Sequence, residues 1–478
     1  MARRFGGERF LTGSTSPGSS RDPEYVYTLA VALVALLPRL YVAIAWSKEP
    51  VWDGHYYHLG AERLAAGLGY SEDVVAAGQL LWKPWIHYPV GYSLFLAPFY
   101  FLFGPKLLVA PILNAILGAL MAAAAHRFGR YYLPARRAAL AGGLVALHPG
   151  LIAYSPLVMT ELLAGLLLLC TGLAMLRYRE GYRGLVLAGL ALGAATLVRP
   201  TSLLVIPLLA LFGERPSGKV AVRALIAGAI ALAVVLPWTL RNCARFDGCA
   251  LVSTNGGWNL AIGALTPTGR FHGLTAKDGC AVVKGQVQQD SCWREVGLRT
   301  IMSDPLRWLQ KIPGKLQETF SHESFAIEYL HEADPSVWPE ERRKAGRELL
   351  TFFHRLLLIA AALGAVSSAR WLKPPPWNDA VQLALLLGIA LFGAYAFADA
   401  SHPFFLLPAL LPLLAAIPLP GRPELGASGR FLVGVVAVTT LTHAVFFGED
   451  RYHVVLIPVL CLLAAGALRH SPTPFARR

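Results

Sequence analysis

Charged residues are scarce in this chain of 478 residues. Asp, Glu, Lys and Arg together make up 15% of it, whereas soluble globular proteins are nearer about one quarter. Hydrophobic residues reach 55%. They are gathered in blocks of roughly 15–22 residues, and about 20 apolar residues are what a membrane-spanning helix requires. The scarcity of charge therefore excludes an ordinary soluble domain, and the pattern predicts an all-α polytopic membrane protein.

Several chemical signatures are also missing from the sequence. It contains no CxxC and no paired-histidine motif, so no metal site is predicted, and a divalent metal as cofactor stays an open question. It contains neither a glycine-rich phosphate loop nor a dinucleotide fingerprint, so no nucleotide site is expected. No internal repeat is visible, although paired repeats are typical of transporters.

The net charge of +14 does not indicate a nucleic-acid partner. The basic residues punctuate apolar blocks and build no continuous basic face. They indicate membrane topology instead, because short cytoplasmic loops carry an excess of Lys and Arg. Residues 1–24 are polar and basic, and we expect a disordered cytoplasmic tail there.

About twelve membrane spans are predicted from the apolar blocks. They are residues 25–46, 106–125, 136–154, 157–176, 184–198, 200–213, 222–240, 351–369, 380–398, 403–419, 430–447 and 453–468. The fifth and sixth are short and could form a hairpin that does not fully cross. Residues 91–104 are apolar but too short to span, so we expect a helix lying in the membrane interface.

The distribution of basic residues predicts which loops face the cytoplasm. With the amino terminus inside, each short inside loop is basic, from Arg127 and Arg130 to the carboxyl-terminal Arg477 and Arg478. Both termini are then cytoplasmic, and two long segments lie outside. The predicted organisation is a tail (1–24), a transmembrane module (25–240) with the first outer loop at 47–105, an outer subdomain (241–350), and carboxyl-terminal helices (351–478).

Four of the six cysteines lie in the second outer segment. Their clustering on the oxidising side of the membrane favours disulfides, with Cys243–Cys249 and Cys280–Cys292 as the suggested pairs. Unpaired thiols remain the alternative.

This topology brings unusual polar residues to one face of the membrane, where they are expected to line a cavity. Asp53 follows the first span and could take a proton from an attacking hydroxyl, or it could cap a helix. Glu161 opens the fourth span and is either catalytic or paired with an arginine. Arg199 and Arg451 could bind phosphate, since guanidinium binds phosphate bidentately, or could be interfacial anchors. Arg39 could face the same cavity or snorkel.

The sequence resembles the bacterial polyprenol-phosphate-sugar glycosyltransferases of the GT-C superfamily, such as protein O-mannosyltransferases and aminoarabinose transferases. The resemblance runs along nearly the whole chain and rests on the order of its motifs. These are Asp53 to Tyr57, Tyr88-Pro89-Val90-Gly91-Tyr92, Thr160-Glu161, Arg199-Pro200, Pro237 to Asn242, Ser253 to Leu260, and Asp450-Arg451-Tyr452. One departure is that many relatives have Asp-Glu in the first outer loop, whereas Gly54 follows Asp53 here.

The resemblance implies a GT-C bundle and an inverting transfer of a sugar from a polyprenyl-phosphate donor to an acceptor hydroxyl. Asp53 would be the base, with Glu161 as a second catalytic candidate, and Arg199, Arg451 and Arg39 would bind the donor phosphate. The acceptor would be a glycan, lipid or protein, at the periplasmic face of the plasma membrane. Candidate substrate-binding residues are Tyr56, Tyr57, His87, Tyr88, Asn255, His402 and Tyr452.

Two other functions are compatible with a many-spanning chain. An O-antigen ligase or polymerase would place its key Arg and His residues in the large outer loop and would not need Asp53. A non-enzymatic transporter would carry charge on broken helices at the midplane, whereas the charges here lie towards one face.

Overall fold

The computed structural model describes residues 23–76, 78–177, 182–212, 218–281, 285–368, 377–398, 405–408, 410–411 and 426–466. Residues 1–22 of the predicted tail, residue His402 and most of the predicted span 403–419 therefore lie outside the described residues, and the last two residues of the predicted tail belong to a helix that begins at Pro23.

The amino-terminal half is a bundle of helices with short connections. Its elements are α1 (Pro23–Ala45), α2 (Asp53–Ala65), α3 (Gly91–Phe103), α4 (Val109–Gly129), α5 (Ala135–Leu147), α6 (Pro149–Ala153), α7 (Glu161–Arg177), α8 (Tyr182–Val198), a 3-10 helix at Pro200–Phe212, and α9 (Gly218–Arg245). Helix α4 packs on α1, α5 and α7, and α8 packs between α7 and α9.

The carboxyl-terminal half adds the outer subdomain and further apolar helices. The elements are α10 (Gly256–Leu265), a 3-10 turn at Ala276–Asp278, α11 (Gln286–Ser303), α12 (Pro305–Gln310), α13 (Ile312–Phe320), α14 (Phe325–Ala333), α15 (Glu340–Ser368), α16 (Trp377–Ala398), α17 (Gly426–Val445), a 3-10 helix at Asp450–Leu456, and α18 (Ile457–Ala464). Helix α18 packs against α15 and α5 and so closes the bundle.

Five of the described helices are long and apolar enough to cross a membrane: Tyr25–Ala45, Val109–Gly129, Gly218–Arg245, Glu340–Ser367 and Ala427–Val445. Helix α1 presents Leu33, Leu37 and Tyr41 outward, with Leu37 69% exposed. Large apolar side chains in that position are stable only against lipid or another apolar partner. The multi-pass helical architecture is confirmed, and the number of twelve spans stays a prediction.

Three of the predicted spans have a different local structure from a single α-helix, and one of them, 453–468, is divided between the 3-10 helix Asp450–Leu456 and α18. The span 136–154 is divided because α5 ends at Leu147, His148 is extended, and Pro149 begins α6. Proline is favoured at a first helical position and disfavours helical geometry in the residue before it. The short segment after Arg199 is a 3-10 helix of 13 residues. Its rise of about 2 Å per residue lets it extend roughly 26 Å.

The first outer loop contains a two-stranded hairpin that the pattern of apolar residues does not predict. Strands β1 (Ser71–Ala76) and β2 (Gln79–Pro84) pair antiparallel, and Gly78 takes a positive φ in the turn. Arg63 of α2 binds both carboxylate oxygens of Asp73, at 2.8 and 3.0 Å. The predicted interfacial helix is α3, which buries Tyr92 and leaves its carboxyl-terminal end exposed.

The predicted outer subdomain is built mainly of α10 to α14. Its small core gathers Ala261, Trp293 and Val296 around Cys280. Both suggested disulfides, Cys243–Cys249 and Cys280–Cys292, are confirmed.

The first outer loop and the outer subdomain contact each other directly. Gln286 of α11 binds the backbone of Pro84 and Ile86, and Arg241 at the end of α9 donates to the Tyr70 carbonyl at 2.7 Å. The two segments that were predicted to lie outside are therefore at one end of the bundle, beside the amino terminus of α2.

Candidate active site

Asp53 is the first residue of α2, and its carboxylate points at two polar side chains from other parts of the chain. The Tyr88 hydroxyl donates to Oδ1 at 2.7 Å, and Arg451 Nη1 donates to Oδ2 at 2.5 Å. Trp52, rather than Asp53, is the residue that precedes the helix as N-cap. The helix-cap alternative for Asp53 is therefore replaced by a tertiary ion pair.

Both chain neighbours of Asp53 are constrained, Trp52 by its backbone conformation and Gly54 by the space around it. Trp52 has φ of 50°, the one positive value of a non-glycine residue in the described part of the chain. Positive φ costs energy for a residue with a large side chain and is often found at functional sites. A Cβ at position 54 would overlap the Tyr329 hydroxyl. Gly54, which departs from the Asp-Glu of many relatives, is thus required because another side chain fills that space.

Arg451 lies between two carboxylates. Besides Asp53, it pairs through Nε with Glu449 at 2.5 Å. Its position is set by the residue before it, because Asp450 accepts hydrogen bonds from the backbone N–H groups of Ser324 and Phe325. These are donors at the amino terminus of α14, which helical geometry leaves without partners. The 3-10 helix that carries Arg451 is thereby anchored to the outer subdomain.

Glu161 and Arg199 form a second ion pair at this end of the bundle. Glu161 begins α7 and is fully buried, and its Oε1 accepts from Arg199 Nη2 at 2.8 Å. Arg199 Nε also faces the Thr160 hydroxyl at 3.3 Å. The second carboxylate oxygen of Glu161 has no hydrogen-bond partner among the described residues. Of the two alternatives for Glu161, the structure shows the pairing with an arginine.

The ring of Tyr452 connects the two ion pairs. The guanidinium carbon of Arg199 lies 5.5 Å from its centroid, and that of Arg451 lies 5.1 Å from it. His443 stacks on the ring at 4.1 Å. Two guanidinium groups from distant parts of the sequence therefore share one aromatic surface, an arrangement able to bind an anion with several oxygens.

The pKa values of the two acids beside Arg451 are shifted in opposite directions, that of Asp53 by its charged and polar partners and that of Glu449 by burial. Burial by itself would raise the pKa of the Asp53 carboxyl, but the Arg451 guanidinium and the Tyr88 hydroxyl hold it below its ordinary value. Asp53 is therefore ionised at neutral pH. Burial raises the pKa of Glu449 to about 7, although Arg451 opposes the shift. Glu449 consequently titrates near neutrality.

Aromatic side chains continue from Asp53 towards the outer subdomain. Tyr56 stacks on Trp85 at 5.4 Å, and Trp85 also lies 5.5 Å from Tyr88. His87 meets Trp258 of α10 at 5.8 Å. A cleft of about 250 Å³ opens here, lined by Glu72, Lys83, Trp85, His87, Thr254, Trp258, Gly285, Gln286 and Gln289.

The other candidate residues are placed away from this centre or in supporting positions. Tyr57 is buried and packs against Tyr88 and Tyr92. Asn255 precedes α10 and accepts a hydrogen bond from Ser253. Arg39 is fully buried in α1 and donates to the carbonyls of Ala35, Val145 and Ala146. The Arg39 guanidinium is occupied by backbone at the end of α5, and the structure does not bring it to Asp53.

Two residues of this centre have no role in the sequence-based prediction. Glu449 pairs with Arg451, and Trp85 forms the aromatic surface beside Tyr56 and Tyr88. The adjacency of Glu449 to Asp450 and Arg451 was a usable signal. Trp85 had none, because only the tertiary contact between the hairpin and α2 distinguishes it from an interfacial tryptophan.

Residues 87–240 match the family model of dolichyl-phosphate-mannose-protein mannosyltransferases. This confirms the predicted resemblance to GT-C glycosyltransferases over that stretch, and it favours the glycosyltransferase prediction over the ligase and transporter alternatives. The stretch includes Glu161 and Arg199, while Asp53 and Arg451 lie outside it. No curated protein matches the chain in sequence.

Several solved structures are similar to the chain. One is an oligosaccharyltransferase of Archaeoglobus fulgidus tethered with an acceptor peptide, at 13% identity and a TM-score of 0.48, covering 94% of this chain and 49% of that one. Another is ArnT of Cupriavidus metallidurans bound to undecaprenyl phosphate, at 14% identity and a TM-score of 0.36, covering 94% and 78%. The chain spans about half the length of the archaeal oligosaccharyltransferases.

Proposed function

We propose that this protein is an integral membrane glycosyltransferase that transfers a sugar from a polyprenyl-phosphate donor to an acceptor hydroxyl, with inversion. The observation that carries the proposal is the pairing of Asp53 with Arg451 and Tyr88, next to the Arg199–Glu161 pair. It places an ionised carboxylate beside two cations at the end of the bundle where the long loops meet. The family match over residues 87–240 supports the same chemistry.

The donor phosphate would bind at Arg451 and Arg199, the two arginines whose guanidinium groups both lie against the ring of Tyr452. The acceptor oxygen would attack the anomeric carbon of the sugar while its proton passes to the Asp53 carboxylate. The bond from the anomeric carbon to the phosphate oxygen would break, and the electron pair would leave with polyprenyl phosphate. The guanidinium charges would stabilise that developing anion, so a separate general acid is not needed.

Arg451 also links donor binding to the state of the base. Asp53 and a donor phosphate would compete for the same guanidinium, because Arg451 Nη1 is the group that binds Asp53. A phosphate on Arg451 would weaken that ion pair and raise the proton affinity of Asp53. The acceptor would enter from the aromatic cleft between the hairpin and α10, where Trp85, His87 and Trp258 offer ring faces to a glycan, lipid or protein.

The proposed location is the plasma membrane, with the active site on the periplasmic side. The basic short loops and the two disulfides in the outer subdomain support that orientation. The proposed partners are the lipid-linked sugar, the acceptor and the bilayer, with no nucleic acid.

Asp53→Asn tests the proposal most directly. The purified chain is incubated with a panel of polyprenyl-phosphate sugars, and released polyprenyl phosphate is measured by mass spectrometry. Because the amide cannot accept the proton, turnover should fall roughly 10²–10⁴-fold while donor binding is retained. Asp278→Asn, in the outer subdomain away from Asp53, is the matched control and should keep full activity. Turnover of Asp53→Asn within a few fold of the parent would remove Asp53 from the chemistry.

A further inference from the structure

Behind the 3-10 helix that carries Arg451, three buried side chains from separate elements converge. They are Glu323 between α13 and α14, His354 of α15 and His453 of the 3-10 helix Asp450–Leu456. His453 Nε2 lies 3.4 Å from Glu323 Oε2, and His354 Nδ1 lies 3.9 Å from the same oxygen. The three ligand-type atoms are all within 4.8 Å of one another. Each of the three residues is at most 1% exposed.

The outer nitrogens of both imidazoles are already bound to backbone carbonyls. His453 Nδ1 contacts the Thr319 carbonyl at 2.7 Å, and His354 Nε2 contacts the Phe320 carbonyl at 2.9 Å. A carbonyl oxygen only accepts hydrogen bonds, so these nitrogens carry the protons. In neutral imidazole the other nitrogen is then a lone pair. His453 Nε2 and His354 Nδ1 are the ring nitrogens that face Glu323 Oε2, and the two rings stack on each other with their centroids 3.8 Å apart.

A buried carboxylate that faces two imidazole nitrogens is stable only with a proton or a metal ion between them. His354 Nδ1 and Glu323 Oε1 have no hydrogen-bond partner among the described residues. Histidine that binds a metal characteristically donates its other N–H to a backbone carbonyl or carboxylate, which fixes the tautomer. Ligands about 2.0–2.2 Å from a tetrahedral Zn²⁺ lie roughly 3.3–3.6 Å apart. The 3.4 Å separation from His453 Nε2 lies within that range, and the 3.9 Å separation from His354 Nδ1 exceeds it by a few tenths of an ångström.

We propose that Glu323, His354 and His453 bind a divalent transition-metal ion of the zinc type. Two imidazole nitrogens and one carboxylate oxygen are the ligand set that such ions favour, and they leave a fourth position for a small ligand. The sequence carries no spacing motif for this site, since its ligands come from three elements at positions 323, 354 and 453.

The site has a structural consequence that is separate from the sugar-transfer proposal. A metal here would connect the α13–α14 junction and α15 to the 3-10 helix that holds Arg451. Asp450 makes a second connection from that helix to the amino terminus of α14. The ion would therefore position Arg451 by tying its backbone to the bundle, without touching Asp53 or a substrate.

Metal content of the full-length chain tests the site without any activity measurement. The chain is purified without a histidine tag from zinc-supplemented cells, and bound metal is counted by inductively coupled plasma mass spectrometry. We expect about one equivalent per chain in the parent and in Asp53→Asn, and its loss in Glu323→Gln and His354→Gln. His331→Gln is the control, because His331 of α14 binds the backbone carbonyl of Trp338 and lies outside the cluster.

A second measurement begins with the unsubstituted chain, so that it does not depend on a variant that fails to fold. After chelation, the chain is loaded with Co²⁺, which should give the intense visible bands of tetrahedral coordination. His354→Cys should add a thiolate-to-cobalt charge-transfer band, which a metal bound elsewhere would not show. A parent that carries no stoichiometric metal and takes up no tetrahedral Co²⁺ overturns the proposal. So does metal that persists in Glu323→Gln and His354→Gln.

Discussion

Arg451 is the residue on which most of the site's interactions depend. Its guanidinium pairs with Asp53 and Glu449 and lies over the rings of Phe325 and Tyr452. Arginine is charged at every accessible pH, and the contacts with Asp53 and Glu449 fix the direction of its guanidinium, as the proposed binding of a lipid phosphate would require. Its loss should therefore affect the donor more than the fold of the distant helices.

Arg451→Gln is expected to weaken binding of a polyprenyl-phosphate sugar. Losing one charge-assisted contact costs about 1.5–3 kcal/mol, or roughly 10- to 150-fold in donor affinity. Donor binding is measured with a radiolabelled lipid on the purified chain. Arg299→Gln on the exposed face of α11 is the control. Unchanged donor affinity, together with unchanged affinity in Arg199→Gln, would reduce both residues to structural anchors.

Glu449 should make stability depend on pH near neutrality. Its pKa rises from 4.5 to about 7 in the folded chain because most of its carboxyl is removed from water, so the folded state binds more protons between these values. Its contribution to stability is therefore complete below about pH 4.5 and is lost as the pH rises through about 7. Thermal unfolding between pH 5 and 8 should show a smaller decline for Glu449→Gln than for the parent. Identical pH profiles would contradict the assigned shift.

At the level of elements, the sequence predicts the long helices better than it predicts helix ends or the segments that are not helical. Apolar blocks of the right length coincide with α1, α4 and α9. In lipid the backbone N–H and C=O groups must bond to each other, and a helix is the structure that achieves this within one segment. The hairpin β1–β2 was missed, since its strands depend on pairing with each other and on the Arg63–Asp73 contact. Neither strand alternates apolar and polar residues, so the pattern that usually predicts a strand is missing here.

The Cys280–Cys292 disulfide is expected to stabilise the outer subdomain. Closing a loop of this length contributes about 3 kcal/mol by restricting the unfolded chain. Replacing both cysteines by serine, or adding reductant, should lower the first thermal transition of the purified chain. Cys170→Ser, at a half-buried free cysteine of α7, is the control. A transition unaffected by either treatment would show that the small core around Trp293 is sufficient.

At the scale of the whole molecule, the orientation in the membrane determines where the chemistry occurs. Gln79 in the hairpin and Lys277 in the outer subdomain are exposed and are predicted to lie outside. Arg136, in the first turn of α5, is exposed and is predicted to lie at the inside end of its span. Single cysteines at positions 79 and 277 should react with a membrane-impermeant maleimide in intact cells. Cysteine at position 136 should react only after the membrane is permeabilised. The reverse pattern would invert the topology and move the active site to the cytoplasm.

The sequence alone determined that the chain crosses a membrane repeatedly. It also suggested which cysteines pair, and it predicted that Asp53, Glu161, Arg199 and Arg451 lie towards one face. These follow from local quantities: apolar length, loop charge and separation along the chain. Only the tertiary structure decided which acid pairs with which arginine. It also explained Gly54 and gathered a cluster of three metal-ligand residues from across the chain. Such contacts depend on how helices pack, and packing joins residues that no sequence spacing relates.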